Sequence, residues 1–332
     1  MATPDDAPAA VGLGRGSPTG PVLPELRVWR ALRRELAQGR PAVLVVVVAH
    51  TGSSPGRTGW LMAVGRGGWL AGTTGGGAAE AQVVTGAVDL LAEPEPVSRL
   101  VTQTHRTGTA NASGLLCGGE QVMALIRVTP DSAHALAAVD AALTRGDTVS
   151  WTVTPNGWTL GATAADGFLD GRGWAFVQTS GPSHQVVLVG AGHVGSALAR
   201  VLVPLGFRVR VVDERPGAAV RLADFAHDLV ERRYEDVRAV IQPSERTFVV
   251  IATHAPDRDA AAVAALADVP LGYFGVLGSQ AKLAHLPDVS HLVAPMGLSI
   301  GSHTPEEIAV SVAAQLVAVR TRHRGATPRS SV

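Results

Sequence analysis

The chain has 332 residues, of which 46% are hydrophobic, and its 28 basic side chains are balanced by 28 acidic ones. That length accommodates two domains of about 150 residues each, and the charge balance excludes the broad electrostatic pull that nucleic acid or an anionic membrane surface exerts on a basic protein. One cysteine, Cys117, cannot form an intrachain disulfide, which fits a reducing compartment. The longest apolar run, Ala42 to Ala49, is too short to cross a bilayer, and the first twenty residues lack the order of a secretory signal. The expectation is a soluble, cytoplasmic protein with neither nucleic acid nor membrane as partner.

Residues 1–22, rich in Pro, Gly and Ala, read as a flexible tail. A helix is expected over Pro24–Ala37, with Leu26, Val28, Trp29, Leu32 and Leu36 on one side. The uninterrupted run AVLVVVVA, Ala42 to Ala49, reads as a strand covered on both faces. Short strands at Trp60–Val64 and Trp69–Gly72 follow, then a glycine loop feeding a helix from about Ala78 to Leu91. Strands are expected at Ser98–Thr104 and Gln121–Val128, and a helix at Ser132–Arg145. The segment from Thr148 to Gln178 holds short strands broken by the hairpin-type dipeptides Asn156-Gly157 and Asp170-Gly171. Ser180 to Ser183 reads as a linker.

From His184 onward strands and helices alternate. QVVLVG, FRVRVVDE, TFVVIATH and GYFGVLGS are the strands, and the last helix opens at Thr304 with an N1 proline and a capping-box glutamate, Glu307. Such alternation predicts a parallel sheet. The fold class is therefore α/β: a C-terminal Rossmann-like doubly wound parallel sheet plus an N-terminal mixed α+β domain. The domains are expected at 23–180 and 183–322, with a second flexible tail at 323–332.

Gly190-Ala191-Gly192-His193-Val194-Gly195 matches the G-x-G-x-x-G dinucleotide fingerprint. It follows an apolar strand, opens a helix, and is followed by Asp213 at the end of the next strand, 18 residues after Gly195. Gly190 permits the tight turn, Gly192 lets backbone amides approach a pyrophosphate, and Gly195 lets the helix pack on the strand. Asp213 would accept a ribose diol, while Arg215 leaves a 2′-phosphate equally open, so NAD and NADP both stand. His193 could face the phosphates. His254, with Asp257 and Asp259 beyond it, falls at the ligand-binding end of the sheet as a candidate proton-transfer group. A fold of this shape with a vestigial pocket is the structural alternative.

Three loops of the first half are dense in Gly, Ser and Thr: TGSSPGRTG (Thr51 to Gly59), TTGGG (Thr73 to Gly77) and SGLLCGGE (Ser113 to Glu120). Each alone reads as a turn; together they suggest backbone surfaces that approach a polar ligand. TTGGG opens a helix, so its amides form an anion site, and Arg57 could add a guanidinium fork. Cys117 stands in the third loop, where a thiolate could ligate a soft metal or carry sulfur. Lys282 is the sole lysine among basic residues that are otherwise arginine. A GC-rich genome explains the arginines, and a lysine retained under that bias hints that its position wants an ammonium group.

The ordered motifs VVVAHTGSSPGRTGWLMAV, TTGGGAAEAQVV, GLLCGGEQVMALI, VVLVGAGHVGSALARVLVPLGFRVRVVDERP, ATHAPDRD, YFGVLGSQAK and PMGLSIGSHTPEEIAVSVAAQLVA resemble the XdhC/CoxI family, over about residues 25 to 320. The resemblance implies an accessory protein that binds molybdenum cofactor, as molybdopterin or its dinucleotide. Such a protein protects the cofactor during sulfuration by a cysteine desulfurase and delivers it to the apo form of a xanthine-dehydrogenase-type molybdenum hydroxylase. It implies cofactor contacts at Ser54, Arg57, Gly75, Gly76, Gly77, Glu80, Cys117, Gly118 and Gly119, with Cys117 at the metal or its sulfur, and at Gly190, Gly192, His193, Gly195, Asp213, His254 and Lys282. A homodimer is left open. The family pattern has a cysteine directly after the triple glycine, where this chain has Ala78, so one of two family thiols is missing and a divergent member that lost its cargo is a further reading. The alternative from another class is an NAD(P)-dependent oxidoreductase using the Rossmann domain. A carrier without turnover of its own is favoured over an enzyme.

Overall fold

The computed structural model describes residues 21–94, 97–104, 118–162, 165–169, 173–182 and 184–323. It divides into two compact units, Pro24–Pro182 and a second built from Ser183 onward.

In the first unit, helix α1 (Pro24–Ala37) buries Leu26, Val28, Trp29, Ala31, Leu32 and Leu36, the stripe its periodicity predicts. Strand β1 (Ala42–Thr51) is buried continuously from Ala42 to Val48. It is the centre of an antiparallel sheet with β2 (Leu61–Gly65), β3 (Gly68–Gly72), β4 (Ser98–Thr104) and β5 (Glu120–Val128), in the order β3-β2-β1-β5-β4. On one face Val43, Val45 and Val47 pack with Val83, Ala87 and Leu90 of α2 (Gly77–Ala92). Helix α3 (Ala133–Arg145) ends at Gly146, whose left-handed backbone returns its amide to Ala142 and Leu143. A second antiparallel sheet follows, formed by β6 (Val149–Thr154), β7 (Gly157–Leu160), β8 (Gly167–Leu169) and β9 (Ala175–Ser180), in the order β7-β6-β9-β8. The rings of Trp29 and Trp151 meet edge to face at 5.4 Å, which ties α1 to this sheet.

Two local readings shift. Ser180 is not linker but the buried last residue of β9, and its hydroxyl accepts the Trp151 indole N–H at 2.6 Å. The β6–β7 turn is Pro155-Asn156, because Thr154 pairs with Gly157. Asp170-Gly171 lies outside the described residues.

The second unit is a five-stranded parallel sheet: β10 (Gln185–Val189), β11 (Arg208–Asp213), β12 (Asp228–Glu231), β13 (Ser244–Ile251) and β14 (Leu271–Val276), in the order β12-β11-β10-β13-β14. Val186 and Leu188 of β10 pack in one cluster with Leu198 and Leu202 of α4 (His193–Leu202) and Val312 and Leu316 of α7 (Pro305–His323). Val187 and Val189 pack in another with Ala262, Val263 and Leu266 of α5 (Pro256–Leu266). Alternate residues of one strand thus enter two cores, the doubly wound arrangement expected of unbroken apolar strands. A one-turn helix α6 (Gln280–Leu283) follows β14. The capping box of α7 forms as expected, with Glu307 accepting the Thr304 amide at 3.0 Å and donating its own amide to the Thr304 hydroxyl at 3.2 Å. Strand β12 has no counterpart in the expected elements: it is four residues, DLVE, with charge at both ends. Among the described residues no helix is long and apolar enough to cross a membrane.

Candidate functional site

In the second unit the strand–turn–helix of the fingerprint is built as its glycines dictate. Gly190 has φ +111°, and a Cβ there would stand 2.7 Å from the carbonyl oxygen of Ala252; a Cβ on Gly195 would stand 2.1 Å from that of Gly190. Gly192 differs: a Cβ added to it meets nothing within 4 Å. It is the N-cap of α4, and no side chain caps that helix. The second glycine therefore faces open space at a helix N-terminus, the geometry a phosphate needs.

That space is a cavity of about 1060 Å³ lined by Gly192, His193, Arg200, Arg215, Arg221 and His254, among others. His193 and His254 are exposed at its wall. Asp213 lies behind it and is fully buried. One of its oxygens, Oδ2, accepts the Ala191 amide at 2.7 Å and Arg215 Nη2 at 2.8 Å; the other, Oδ1, accepts the Arg215 amide and Arg215 Nε, each at 2.9 Å. Burial pushes the Asp213 carboxyl up, but the Arg215 fork and the two amides outweigh it and hold the group below its ordinary range. Tyr234, buried beside Asp213, has its phenol pushed up, first by burial and then by that carboxylate. Glu214, the next residue, pairs with Arg258 at 3.2 Å.

Two expected contributors are turned inward. Asp259 is fully buried, accepts the Thr253 hydroxyl and pairs with Lys282. Lys282 Nζ also donates to the carbonyls of Thr253 at 2.7 Å and Leu277 at 3.2 Å. Its three donors have three acceptors inside the fold, so Lys282 supports the strand ends and is not a free point charge for a phosphate.

In the first unit the first two glycine loops and residues 118–120 of the third come together. A Cβ on Gly56 would stand 2.2 Å from Thr74 O, one on Gly75 would stand 2.7 Å from Pro55, and one on Gly119 would stand 2.5 Å from Thr51 O. Gln121 joins them, accepting the Gly56 amide at 3.1 Å and donating to Thr74 O at 3.2 Å. The Ser54 hydroxyl donates to the Gly56 carbonyl at 2.6 Å. Gly75, Gly76 and Gly77 all have positive φ, 133°, 83° and 67°. The expected anion site at this loop is filled by the chain itself: Glu80 Oε2 accepts the Thr73 hydroxyl at 2.5 Å and the amides of Thr74 and Gly76 at 2.8 and 3.2 Å. Arg57 is half-buried in the first loop. Cys117 lies outside the described residues; Gly118 and Gly119 beside it are exposed and buried respectively. Among the described residues no group of three or more His, Cys, Asp or Glu side chains gathers as a metal site.

Residues that sequence reasoning did not single out also stand here. His50 is the next-to-last residue of β1, directly before the first loop; its Nδ1 accepts the Thr58 amide at 3.1 Å and lies 2.7 Å from the Thr58 hydroxyl. Burial, and then the charge of Arg57, lower its pKa. Its place at the end of an apolar strand, directly before the Gly-Ser loop, was the available signal. Arg200 and Arg221 carried no such signal, because each is one arginine among many on helical turns.

Residues 35–103 match the family model described as the XdhC and CoxI family, and residues 186–316 match the XdhC Rossmann domain. A Bacillus subtilis (strain 168) protein named as a probable xanthine dehydrogenase subunit is 34% identical over 152 residues, covering 44% of this chain and 46% of its own. An uncharacterized Escherichia coli (strain K12) protein, YqeB, is 30% identical over 196 residues, covering 50% of this chain and 32% of its own. The chain thus spans less than half the length of either curated relative it matches. A crystal structure described as a xanthine dehydrogenase from Bacillus halodurans superposes with a TM-score of 0.72, covering 90% of this chain and 97% of that one at 24% identity, a likeness of fold.

Proposed function

The chain belongs to the XdhC and CoxI family, and from that premise we propose that it is an accessory protein of a xanthine-dehydrogenase-type molybdenum hydroxylase. It holds molybdenum cofactor as cargo, supports its sulfuration by a cysteine desulfurase, and passes it to the apo-hydroxylase in the cytoplasm. The observation that carries this reading is the open face of Gly192: a cavity of about 1060 Å³ meets an uncapped helix N-terminus and three guanidinium groups, a setting for the phosphate end of a cargo. Holding in preference to turnover is supported by the two fully buried carboxylates beside the strand ends, Asp213 and Asp259. Asp213 is committed to Arg215 and Asp259 to Lys282, so neither is poised to exchange a proton with a ligand. Cys117 is the proposed soft ligand for the metal or its sulfur, the role that the family resemblance implies for it.

The test is co-expression with a molybdenum hydroxylase, reading bound molybdenum in this protein and activity in the hydroxylase, for the wild type and Cys117→Ala. Retention and activation by the wild type, both reduced in the variant, are expected. A wild type that neither retains cofactor nor changes activation overturns the reading, and a variant equal to wild type removes Cys117 from it.

A second reading, an NAD(P)-dependent oxidoreductase, is favoured by the fingerprint with His254 exposed on the cavity wall. Nicotinamide turnover abolished by His254→Ala would establish it in place of the carrier.

A further inference from the structure

In a Rossmann pocket that selects an unphosphorylated ribose, the acidic residue at the end of the second strand keeps lone pairs free for the 2′- and 3′-hydroxyls. An ionised carboxylate offers about four acceptor sites. At Asp213 four donors already occupy them: the Ala191 amide, the Arg215 amide, and Nε and Nη2 of Arg215. A diol arriving there must displace the Arg215 fork from a fully buried carboxylate. Arg215 lines the cavity, and its side chain is 43% exposed. Arg200 and Arg221 line that cavity as well, against one acidic lining residue, Glu306. The Arg200 guanidinium sits 4.5 Å above the Phe225 ring, which orients it. Glu214, which would otherwise oppose an anion near this strand end, pairs with Arg258.

We infer that the part of the ligand meeting the end of β11 is a phosphate monoester, read by Arg215 with Arg221 and Arg200, and not a free ribose diol. This rests on the reading of the cavity as a phosphate cradle and adds what the cradle discriminates. The shared chemistry has two sources: the 2′-phosphate of a pyridine nucleotide, or the terminal phosphate of a pterin cargo that carries no nucleotide. Arg215 acts twice, as a fork toward Asp213 and as a cation toward the ligand, which a planar guanidinium with five donors allows and a lysine would not.

The experiment compares adenosine 2′,5′-bisphosphate with AMP, two probes that share a 5′-phosphate and differ by one monoester, by calorimetry on the full chain. The expected result is tighter binding of the bisphosphate by at least about tenfold, the scale of one charge-assisted contact. In Arg215→Ala the ratio inverts, because Asp213 is released to accept the AMP diol while the monoester loses its partner. Arg221→Ala, an exposed site away from Asp213, weakens the bisphosphate alone and covers the case in which the first variant does not fold. Displacement of bound bisphosphate by NADP or by nucleotide-free molybdopterin, titrated separately, tells the two sources apart. Equal affinity for the two probes, or a ratio unchanged in both variants, overturns this inference while leaving the cradle intact. Failure of both probes to bind overturns the cradle reading with it.

Discussion

The ammonium of Lys282 donates to the carbonyl of Thr253 at 2.7 Å and thereby joins the helical turn after β14 to the end of β13. Its remaining donors go to Leu277 O and to the buried carboxylate of Asp259. Removing one member of a buried ion pair leaves the other uncompensated, which costs about 3–5 kcal/mol. Lys282→Met is therefore expected to lose that much stability in urea unfolding. Asp259→Asn combined with Lys282→Met should recover most of it, since no charge then remains buried. A double variant as unstable as the single would show that Lys282 acts through packing and not through its charge.

Much of this arrangement was legible beforehand, and the rest divides by physical cause. Gly190, Gly192 and Gly195 were readable because the turn, the ligand approach and the helix packing each demand the absence of a Cβ at a set spacing. Strand β1 was readable because its apolar run has no polar break. Asp213 was readable as a residue but not as a closed site, since Arg215 two positions on could turn either to the carboxylate or to a ligand. At the triple glycine the helix start was evident, yet no pattern tells whether the anion there is a ligand or the chain's own Glu80. Lys282 stood out by composition alone; the three acceptors around it come from segments 29 and 23 positions before it and 5 positions before it, and such convergence leaves no local mark. Strand β12 is too short and too charged to show a period.

Glu80 closes the loop of the first unit by accepting three donors on one oxygen. Hydrogen bonds to a charged acceptor contribute about 1.5–3 kcal/mol each net of water, and less where the acceptor is partly exposed, as Glu80 is. Glu80→Ala is expected to cost about 2 kcal/mol and to leave the amides of Thr74 and Gly76 facing solvent at the start of α2. Inorganic phosphate should then raise the thermal midpoint of the variant and not that of the wild type. A variant indifferent to phosphate would show that these amides do not form an anion seat even when vacated.

Gly192 and Gly195 differ in what a methyl group would meet, and the two alanine variants should separate ligand binding from folding. Gly195→Ala drives a Cβ to 2.1 Å from Gly190 O and is expected to destabilise by about 3 kcal/mol or more, the range of overpacking against fixed backbone. Gly192→Ala meets nothing and has φ −74°, which alanine adopts freely. It should keep the wild-type melting temperature, yet bind adenosine 2′,5′-bisphosphate several-fold more weakly, because the methyl stands where the phosphate approaches. Wild-type binding by Gly192→Ala would place the phosphate elsewhere in the cavity.

His227 supplies the pH dependence. Its Nδ1 accepts the Val209 amide at 3.1 Å beside β11, and burial, followed by the charge of Arg208, lowers its pKa to about 4 against the partial opposition of Asp228. A histidine whose folded pKa lies below its unfolded value of about 6.5 binds its proton more readily once unfolded. The associated stability is complete above about pH 6.5 and is lost as the pH falls from there toward 4, on the order of 2 kcal/mol between pH 7 and pH 5. All six tryptophans precede residue 175, so indole fluorescence follows the other unit. Amide hydrogen exchange at Val209 and its strand neighbours is the measurement that reports this one. Protection should fall as the pH is lowered from 7 to 5, after correction for intrinsic exchange. His227→Asn, which keeps an acceptor for the Val209 amide and cannot be protonated, should flatten that profile; an unchanged slope would assign the pH dependence to another group.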